Sequence, residues 1–501
     1  MELIPESVYL AGQVREMDRI AIEKFRIPGY TLMQRAGEAA FDLIREHWQD
    51  AGRIVLLVGP GNNGGDGYVI ARMARSAGMQ VQIFQAGDHT SLQGDARSAH
   101  DAYMECGGSC DVFSGELPGS DLIVDALLGS GLTRPVKGEF AAAIRCMNTH
   151  RAPVLSVDVP SGLDADRGVP LGDAVTARAT ITFVGMKLGL ITGAGRRHSG
   201  KIYFSDLQVP DAVQQSVRAA CQVIDPGKLR ARMAERHADA HKGEYGHVLL
   251  IGGNSGMTGS VMLAAEAAAR TGCGLASVAT VSRHALMLSA ACREVMVHGV
   301  ESVANLDELV RRASVVAIGP GLGQDSWAKT MLARILELDL PTVMDADALN
   351  LLARDPMKKQ NWILTPHPGE AARLTGATSQ EVQQQRLVRV QALQQKFGGV
   401  CVLKGSGTLV ACENRVSVCT AGNPGMASGG MGDVLTGIIS GLLAQGLGLN
   451  DAACLGVQLH AQSADIAARE GMRGMLASDL FGPLRKLVND SDSEDRISGK
   501  R

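Results

Sequence analysis

Short, uninterrupted apolar runs recur along this chain, and most of them end in a turn rich in glycine or aspartate. In the first half the runs are Ile54–Val58, Val81–Phe84, Leu122–Val124, Val154–Val157, Ile181–Val184 and Ile202–Phe204. In the second half they are Val248–Ile251, Val315–Ile318, Thr342–Met344, Trp362–Leu364 and Val400–Leu403. Such runs are typical of parallel strands buried on both faces. With a helical stretch at Tyr68–Ala77 between two of them, they predict βαβ units and an α/β fold.

Three longer stretches have the pattern of helices. The first is Glu16–Trp48, with a break at Pro28-Gly29. The other two, Gly430–Ala444 and Asp451–Ala468, are expected to close the second half of the fold.

The chain is too long for one core, because its 501 residues exceed the roughly 100–200 residues of a typical domain. The alternation weakens between Val209 and Gly246, a polar stretch that contains Pro210 and Pro226. We therefore expect a Rossmann-like α/β/α domain over residues 1–215 and a second α/β/α domain over residues 226–488. The polar residues 489–501 are expected to form a disordered tail.

Composition argues against several classes of partner. Aromatic residues make up 4% of the chain, the net charge is -3, and the basic residues are dispersed, so no nucleic-acid surface is expected. No apolar run approaches the ~20 residues that span a bilayer, and the N-terminus lacks the pattern of a signal peptide. The ten cysteines are scattered. We expect a cytoplasmic protein with reduced thiols and no membrane partner.

Three polar turns in the first half follow predicted strands. They are Gly59–Gly67, Leu128–Pro135 after Asp125, and the turn that begins at Asp158. Carboxyl ends of parallel strands lie at one edge of a sheet, and the N–H groups that begin a helix suit a phosphate. The first turn is neither a dinucleotide fingerprint nor a Walker loop. A helix cap would explain one aspartate after a strand, but three such turns favour a ligand site.

These segments resemble the YjeF N-terminal, NAD(P)H-hydrate epimerase family. The resemblance rests on Gly59–Gly67, Val124–Gly138, Val157–Asp164, Gln13–Asp18 and Ile27–Gly29, and it covers about residues 8–210. It implies inversion of the ring carbon that carries the hydroxyl of hydrated NADH or NADPH. It also implies a potassium ion held by Asn63, Asp125 and Ser161, whose hard oxygen ligands suit an alkali cation. The implied substrate-binding residues are Asn62, Asn63, Gly64, Gly65, Asp66, Gly129, Ser130, Gly131, Leu132, Thr133, Arg134, Pro135 and Asp158.

Asp158 is the candidate catalytic residue of this site, because a carboxylate could stabilise a cationic ring or move a proton. Lys187, in Gly185–Gly189, could help to position substrate. The sequence favours the alternative that Lys187 is a solvated surface lysine.

In the second half, the longest glycine-rich stretch is Gly422–Gly437, which leads into a helix with Asp433 in its first turn. Its N–H groups could bind a moving phosphoryl group, and Asp433 could be the base. Lys404–Thr408 offers a charge and hydroxyls for a phosphate. His367 lies between two prolines in Thr365–Glu370, a stiff loop that favours ligand contact. Further loops are Gly252–Gly259, Gly319–Gly323 and Asp345–Ala348.

The order of these motifs resembles the ribokinase-like superfamily, and within it the NAD(P)H-hydrate dehydratase branch, over about residues 226–485. The resemblance implies nucleotide binding at Lys404, Gly405, Ser406, Gly407, Thr408 and Gly432. It implies substrate binding at Ser260, Gly323, His367 and Asp433, with Asp433 catalytic. Ser260 departs from the family pattern, in which alanine is common, so the contact there is less secure.

The resemblance implies that ADP, with Mg²⁺, phosphorylates the ring hydroxyl of the S hydrate, so that phosphate can leave and AMP and NAD(P)H remain. It also implies a homo-oligomer. The residues alone leave ADP and ATP both open. The alternative is a ribokinase-like small-molecule kinase whose N-terminal half binds a nucleotide without catalysis.

Overall fold

The computed structural model describes residues 4–90 and 92–489. The chain forms two compact units, which divide between Val223 and Ile224. The limits expected from the sequence, 215 and 226, lie on either side of this point and stay a prediction. The expected disordered tail, 489–501, falls outside the described residues except for Asn489. Within the described residues, no helix has both the length and the apolar character that crossing a membrane requires.

The first unit is built from short strands and intervening helices. Its strands are β1 (Ser7–Tyr9), β2 (Arg53–Val58), β3 (Gln80–Gln85), β4 (Cys110–Val112), β5 (Leu122–Ala126), β6 (Val154–Val157), β7 (Ala179–Phe183), β8 (Met186–Lys187), β9 (Lys201–Ser205) and β10 (Cys221–Val223). Its helices are α1 (Ala11–Glu23), α2 (Gly29–His47), α3 (Asn62–Ser76), α4 (Gly94–Glu105), α5 (Gly138–Thr149), α6 (Leu188–Ile191), α7 (Gly195–His198) and α8 (Asp211–Gln215).

The main sheet of this unit has the order β4-β3-β2-β5-β6-β7-β9, and its strands are parallel. From β2 the chain adds β3 and β4 on one side of the sheet and then crosses to add β5 on the other side of β2. The switch point of the sheet therefore lies between β2 and β5. Ligands of open α/β sheets bind at such a point. The two loops that follow these strands therefore begin at the place where a site is expected.

Alternation of side chains in β2 explains why the run is apolar throughout. Ile54, Leu56 and Val58 pack into one hydrophobic cluster, whereas Val55 and Leu57 pack into a second cluster. Successive side chains of a strand point to opposite faces. Both faces of this strand are therefore covered, as the sequence pattern predicted.

The second unit has the same type of alternation. Its strands are β11 (His247–Ile251), β12 (Leu275–Thr280), β13 (Met296–Gly299), β14 (Val315–Ile318), β15 (Thr342–Met344), β16 (Trp362–Leu364), β17 (Val400–Leu403), β18 (Leu409–Cys412) and β19 (Arg415–Val418). Its helices are α9 (Pro226–Arg230), α10 (Thr258–Thr271), α11 (Ser282–Ala291), α12 (Val303–Val310), α13 (Ser326–Leu336), α14 (Ala346–Leu352), α15 (Pro368–Thr375), α16 (Ser379–Gln384), α17 (Arg386–Phe397), α18 (Met431–Ala444), α19 (Leu449–Ala467) and α20 (Phe481–Leu487). Short 3₁₀ turns lie at Lys242–Tyr245, Pro424–Met426, Ala468–Glu470 and Ala477–Leu480.

These strands follow the order β13-β12-β11-β14-β15-β16-β17-β18-β19. The pairs from β13 to β17 are parallel, whereas β17, β18 and β19 pair antiparallel. The loops after β14, β15, β16 and β17 therefore emerge at one edge, and they are the glycine-rich and acidic loops noted in the sequence.

Helices α10 and α18 pack very closely beneath this edge. A Cβ added at Gly437 would lie 2.0 Å from the carbonyl oxygen of Ala264, and one at Gly441 would lie 2.8 Å from that of Ala268. Small residues let the two backbones approach, and this brings the first turn of α18 beside α10.

Several predictions of the elements were inaccurate. The helical stretch Glu16–Trp48 is interrupted at Pro28-Gly29 as predicted, but its first helix already begins at Ala11, and α3 begins at Asn62 rather than near Tyr68. The strand expected to reach Val184 ends at Phe183, because Val184 has a φ of 63°. Helix α20 follows the pair that was expected to close the domain.

Candidate active sites

The first turn of the N-terminal site depends on glycines at points where two backbones touch. A Cβ at Gly64 would lie 1.9 Å from the carbonyl oxygen of Gly59, and a Cβ at Gly59 would lie 2.0 Å from that of Leu127. No other residue fits these positions without moving the backbone. The turn therefore brings Asn62 and Asn63, which begin α3, against the segment that follows β5.

Asp158 is held in a strained turn at the end of β6. Its φ is 64°, and the N–H of Val159 donates to the carbonyl of Val157 at 2.8 Å, which closes a three-residue γ-turn. Its Oδ2 accepts the N–H of Ser130 at 2.9 Å. Strain of this kind persists only where surrounding contacts fix it, and it is frequent at functional sites.

The prediction that Lys187 is a solvated surface lysine is wrong. Its side chain is 1% exposed, and its Nζ donates to Asp158 Oδ1 at 2.7 Å, to Thr182 Oγ1 at 3.0 Å and to the carbonyl of Phe183 at 2.9 Å. A second γ-turn redirects the chain before it: Val184 has a φ of 63°, and Gly185 N–H donates to Phe183 O at 2.6 Å. Asp158, after β6, and Lys187, on β8, thus form an ion pair whose lysine is buried.

Two more carboxyl groups lie within electrostatic range of this pair. Burial raises the pKa of Asp158, but Lys187 more than offsets this and holds the pKa below its ordinary value. Burial, then Asp158 and Asp18, raise the pKa of Asp66 well above its usual range. Burial raises the pKa of Asp18 to about 6. The surroundings therefore shift the pKa values of Asp158 and Asp66 in opposite directions, the kind of divergence that separates base from acid.

The three residues expected to hold potassium lie around the same turns. Asp125 accepts the Ser161 hydroxyl at 2.5 Å and its N–H at 2.9 Å, and Ser161 Oγ accepts the N–H of Leu128 at 2.8 Å. Asn63 lies beside Gly129. Both polar atoms of the buried Asn63 amide lack a hydrogen-bond partner among the described residues.

The side-chain oxygen atoms of Asn63, Asp125 and Ser161 fit an alkali cation. Unsatisfied buried amide atoms cost stability, and a cation would give the Asn63 oxygen a partner. Burial also raises the pKa of Asp125 in spite of its hydrogen bonds to Ser161 and Ser156, so a nearby cation would favour the ionised carboxylate.

The remaining predicted substrate residues of this site divide into two groups. Gly129 and Ser130 lie against Asp158: a Cβ at Gly129 would be 3.0 Å from its Oδ2. Leu132 is partly buried, while the rest of the turn is exposed: Gly131, Thr133, Arg134 and Pro135. The structure thus brings the start of this turn to the ion pair and leaves its end toward solvent.

In the second unit, Asp433 lies in the first turn of α18, as predicted. Gly430, with a φ of 86°, precedes the helix. Burial raises the pKa of Asp433 to about 6, with a further contribution from Asp345, while a hydrogen bond from the Ser260 hydroxyl opposes the rise. Ser260, on α10, therefore meets Asp433 directly. An aspartate of this kind is ionised at neutral pH and can accept a proton.

Lys404 is paired inside the protein. Its Nζ donates to Asp345 Oδ1 at 2.7 Å and lies 3.9 Å from Glu370 Oε2. Thr436, one turn into α18, donates to Asp345 Oδ2 at 2.9 Å. Burial lowers the pKa of Lys404, but the two carboxylates more than offset this and raise it. A Cβ at Gly432 would lie 3.2 Å from Lys404 Nζ, so the glycine lets the helix start approach the lysine.

His367 caps α15. Its Nδ1 accepts the N–H of Gly369 at 2.9 Å, and its own N–H donates to Glu370 Oε2 at 2.8 Å. The side chain is half-buried, and burial lowers its pKa. Its Nδ1 is thus committed to the helix, and its Nε2 lies 3.3 Å from Glu370 Oε1.

Gly323 lies in the loop after β14, with a φ of 73°. Its N–H donates to Asp347 Oδ2 at 3.0 Å. Asp433 lies in the first turn of α18, so these two predicted substrate contacts come from different elements.

Sequence reasoning favoured a surface position for Lys187, and it assigned no role to three residues that the structure brings to these candidate sites: Asp18, Asp345 and Glu370. The last two lie in loops that the sequence had singled out without assigning them a role. The signal that could have found them is their position after strands of the same sheet: Asp345 directly follows β15, and Glu370 lies in α15 after β16, the neighbour of β17. No group of three or more His, Cys, Asp or Glu in residues 4–90 and 92–489 could hold a metal ion.

Comparisons with known proteins match both units. Residues 29–189 match the family model of the YjeF-related protein N-terminus, and residues 248–486 match that of NAD(P)H-hydrate dehydratase. The chain is 46% identical to a bifunctional NAD(P)H-hydrate repair enzyme of Coxiella burnetii over 96% of this chain and 99% of that protein. It is 43% identical to one of Escherichia coli over 97% of this chain and 95% of that protein.

A solved structure is similar to part of the chain. A ribokinase-like superfamily protein from Enterococcus faecalis is 31% identical, with a TM-score of 0.51, and the match covers 54% of this chain and 96% of that chain. Together with the family models, this match confirms the predicted fold class, a Rossmann-like unit followed by a ribokinase-like unit.

Proposed function

This chain belongs to the family of bifunctional NAD(P)H-hydrate repair enzymes, and from that premise we propose which residues perform each of its two reactions. The observation that supports the assignment is that each unit holds its own lysine–carboxylate ion pair, Lys187–Asp158 in the first and Lys404–Asp345 in the second. The first site is the epimerase and the second is the dehydratase.

In the epimerase site, Asp158 and Asp66 have complementary roles. Asp66 gives its proton to the ring hydroxyl, and the C–O bond breaks. Water departs, and the ring is left with a positive charge. The ionised Asp158 stabilises this cation. Water then adds to the opposite face of the ring carbon and returns a proton to Asp66, so that the configuration is inverted and no atom is gained or lost. Lys187 keeps Asp158 ionised and in place.

Asn63, Asp125 and Ser161 would hold potassium beside this site. The ion would supply positive charge near the phosphates of the substrate, which the N–H groups at the start of α3 are placed to bind. We propose the predicted substrate contacts at Asn62, Gly64, Gly65 and the turn of residues 129–135 on the same grounds.

Thermal unfolding in potassium chloride and in sodium chloride of equal ionic strength tests the ion site. We expect potassium to raise the Tm of the wild type and to have no such effect on Asn63→Leu. In sodium chloride the variant should be the more stable of the two, because it lacks the unsatisfied amide. A potassium effect that survives in Asn63→Leu would exclude Asn63 as a ligand.

In the dehydratase site, Asp433 accepts the proton of the ring hydroxyl as that oxygen attacks the terminal phosphorus of ADP. The bridging P–O bond breaks and AMP leaves. The ring nitrogen then expels phosphate, and loss of a proton from the neighbouring carbon restores the dihydropyridine. The turn before α18, including Gly432, and the loop Lys404–Thr408 bind the phosphates. Magnesium, bound mainly through phosphate oxygens, would neutralise charge on them.

We propose the S hydrate as the form consumed and ADP as the phosphoryl donor. Ser260 holds Asp433 toward the substrate, and Gly323 and His367 border the pocket from the neighbouring loops. The kinase alternative predicts a stable phosphorylated product and no NADH, and the similarity of the whole chain to hydrate repair enzymes does not favour it. Self-association stays a prediction that light scattering would test.

Absorbance of reduced nicotinamide tests both assignments on the full chain. Wild type, Asp158→Asn and Asp433→Asn are each given an epimeric mixture of NADH hydrate with ADP, magnesium and potassium. We expect the wild type to convert both epimers, Asp158→Asn to stop when one epimer remains, and Asp433→Asn to form no NADH while it still interconverts the epimers.

Either failure is informative. Full epimerase turnover in Asp158→Asn would exclude the role given to Asp158. NADH formation by Asp433→Asn at the wild-type rate would exclude Asp433 as the base. Replacement of ADP by ATP in the same assay measures the preference between the two donors.

A further inference from the structure

Arg386, the first residue of α17, is a large cation buried beneath the nucleotide loop. Its side chain is 2% exposed. Its Nη1 donates to Gln383 Oε1 at 2.9 Å and to the carbonyl of Lys404 at 3.3 Å. Its Nη2 donates to the carbonyls of Leu403 and Gly407, each at 3.2 Å. One guanidinium thus binds both ends of the turn that contains Lys404–Gly407.

These contacts fix the direction in which the peptide groups of the loop face. In a trans peptide the carbonyl and the following N–H point in opposite directions, and the described chain contains no cis peptide bond. Because the carbonyls of Lys404 and Gly407 point at Arg386, the N–H groups of Gly405 and Thr408 point away from it. Gly405 is exposed, so its N–H is presented on the outer side, where a phosphate can approach.

The glycine at position 405 belongs to the same arrangement. Its φ is 130°, and a Cβ there would lie 2.9 Å from Arg386 Nη1. The loop can lie directly on the guanidinium only because this residue has no side chain. The positive charge is therefore one layer behind the backbone that faces the nucleotide.

We propose that Arg386 is the positioning residue of the nucleotide loop: it turns the loop carbonyls inward, so that the N–H groups and Lys404 face the phosphates of the nucleoside diphosphate. This inference rests on the nucleotide site assigned above. Arginine suits the role because its planar fork donates to several acceptors at once, whereas a lysine ammonium on a flexible chain cannot reproduce that geometry. Burial lowers the pKa of Arg386 to about 10, so the group stays charged at neutral pH.

The test compares Arg386→Lys with Arg389→Lys in the full chain. Arg389 lies on the same helix, and among the described residues it makes no hydrogen bond to the loop. Binding of ADP with magnesium is measured by calorimetry, and the KM values for ADP and for the hydrate are measured separately. We expect Arg386→Lys to weaken the binding of ADP about tenfold or more, which is the factor expected for one lost hydrogen bond to a charged group. The KM for the hydrate should be unchanged in Arg386→Lys, and Arg389→Lys should bind ADP as the wild type does.

A second variant protects the test against a chain that fails to fold. Gln383 is exposed, and its Oε1 accepts one hydrogen bond from Arg386, so Gln383→Ala should fold normally. We expect Gln383→Ala to weaken the binding of ADP by about threefold, which is a smaller loss of affinity than in Arg386→Lys. If both variants bind ADP like the wild type, whether or not their Tm falls, Arg386 is a structural clamp and the inference is wrong.

The outcome for Arg386 can be separated from that of the proposed function. If the wild type binds ADP but forms no NADH from the hydrate, the assigned reaction fails, and the binding data alone still decide the role of Arg386. If the wild type does not bind ADP at all, both the nucleotide site and this inference are overturned.

Discussion

At the scale of single residues, each site rests on a lysine whose carboxylate partner is distant in sequence. Lys187 and Asp158 are 29 positions apart, and Lys404 and Asp345 are 59 positions apart. Turn motifs in the sequence predicted site roles for Asp158, Asp433 and Lys404, because turn chemistry is local. They did not predict the pairing of Lys187 with Asp158 or of Lys404 with Asp345, because pairing depends on how the strands are arranged in the sheet.

Replacing Lys187 with methionine should abolish most of the epimerase activity. Asp158 would remain buried without its cation, so its pKa would rise and the carboxylate would take up a proton at neutral pH. We expect the rate of epimer interconversion to fall by about 100-fold or more, with the dehydratase rate for the S hydrate unchanged.

Lys24→Met, at an exposed lysine of the same unit, is the matched control for this variant. Wild-type turnover in Lys187→Met would show that Asp158 does not need its partner.

The pKa of Asp433 predicts the acid limb of the dehydratase. Because the folded-state pKa is raised to about 6, the carboxylate is available as a base above that pH and is protonated below it. We expect kcat for the S hydrate to be level above pH 6 and to fall about tenfold for each pH unit below it.

Measurement with single-epimer substrate separates this limb from the titration of the other site. A kcat that stays level down to pH 4.5 would contradict a base with this pKa.

At the scale of elements, buried parallel strands could be predicted and the smaller strands could not. The interior strands β2, β6 and β14 are apolar at nearly every position because helices cover both faces. By contrast, β4 and β13 lie at sheet edges, where half-exposed side chains weaken the pattern. The short strand β8 exists only because Val184 turns the chain, and β12 consists largely of small residues, so neither has a strong local signal.

The contact between α10 and α18 should tolerate no added methyl group. Gly437→Ala would place a Cβ 2.0 Å from the carbonyl oxygen of Ala264, so the helices must separate. We expect a loss of about 1–3 kcal/mol or more in the free energy of unfolding, together with reduced dehydratase activity, because the first turn of α18 carries Asp433.

Gly482→Ala is the control, since a Cβ there meets no atom within 4 Å. Glycine is a poorer helix former than alanine, so this variant should be neutral or slightly more stable. Denaturant titration measures both, and equal stability of the two variants would contradict the close packing.

At the scale of the whole molecule, the described residues of each unit pack into hydrophobic clusters of their own. Separate cores predict separate unfolding transitions. We expect calorimetry of the full chain to resolve two transitions, and ADP with magnesium to raise only one of them, because a ligand stabilises the unit that binds it.

The transition whose Tm changes in Asp433→Asn and Arg386→Lys is the one that belongs to the second unit. A single transition that ADP shifts as a whole would mean that the units unfold together.

The pairing of β6 with β7, in which Val157 lies opposite Ile181, has a consequence for how the epimerase site can change. Asp158 directly follows β6, and the turn at Val184 after the adjacent strand β7 leads to Lys187 on β8. Strands β6 and β7 are spaced by about 4.8 Å, as in any sheet. Replacements in the surrounding helices can shift those helices without separating the ion pair. The turn of residues 131–135 can therefore be randomised in directed evolution to recruit other substrates, while the reactive pair keeps its spacing.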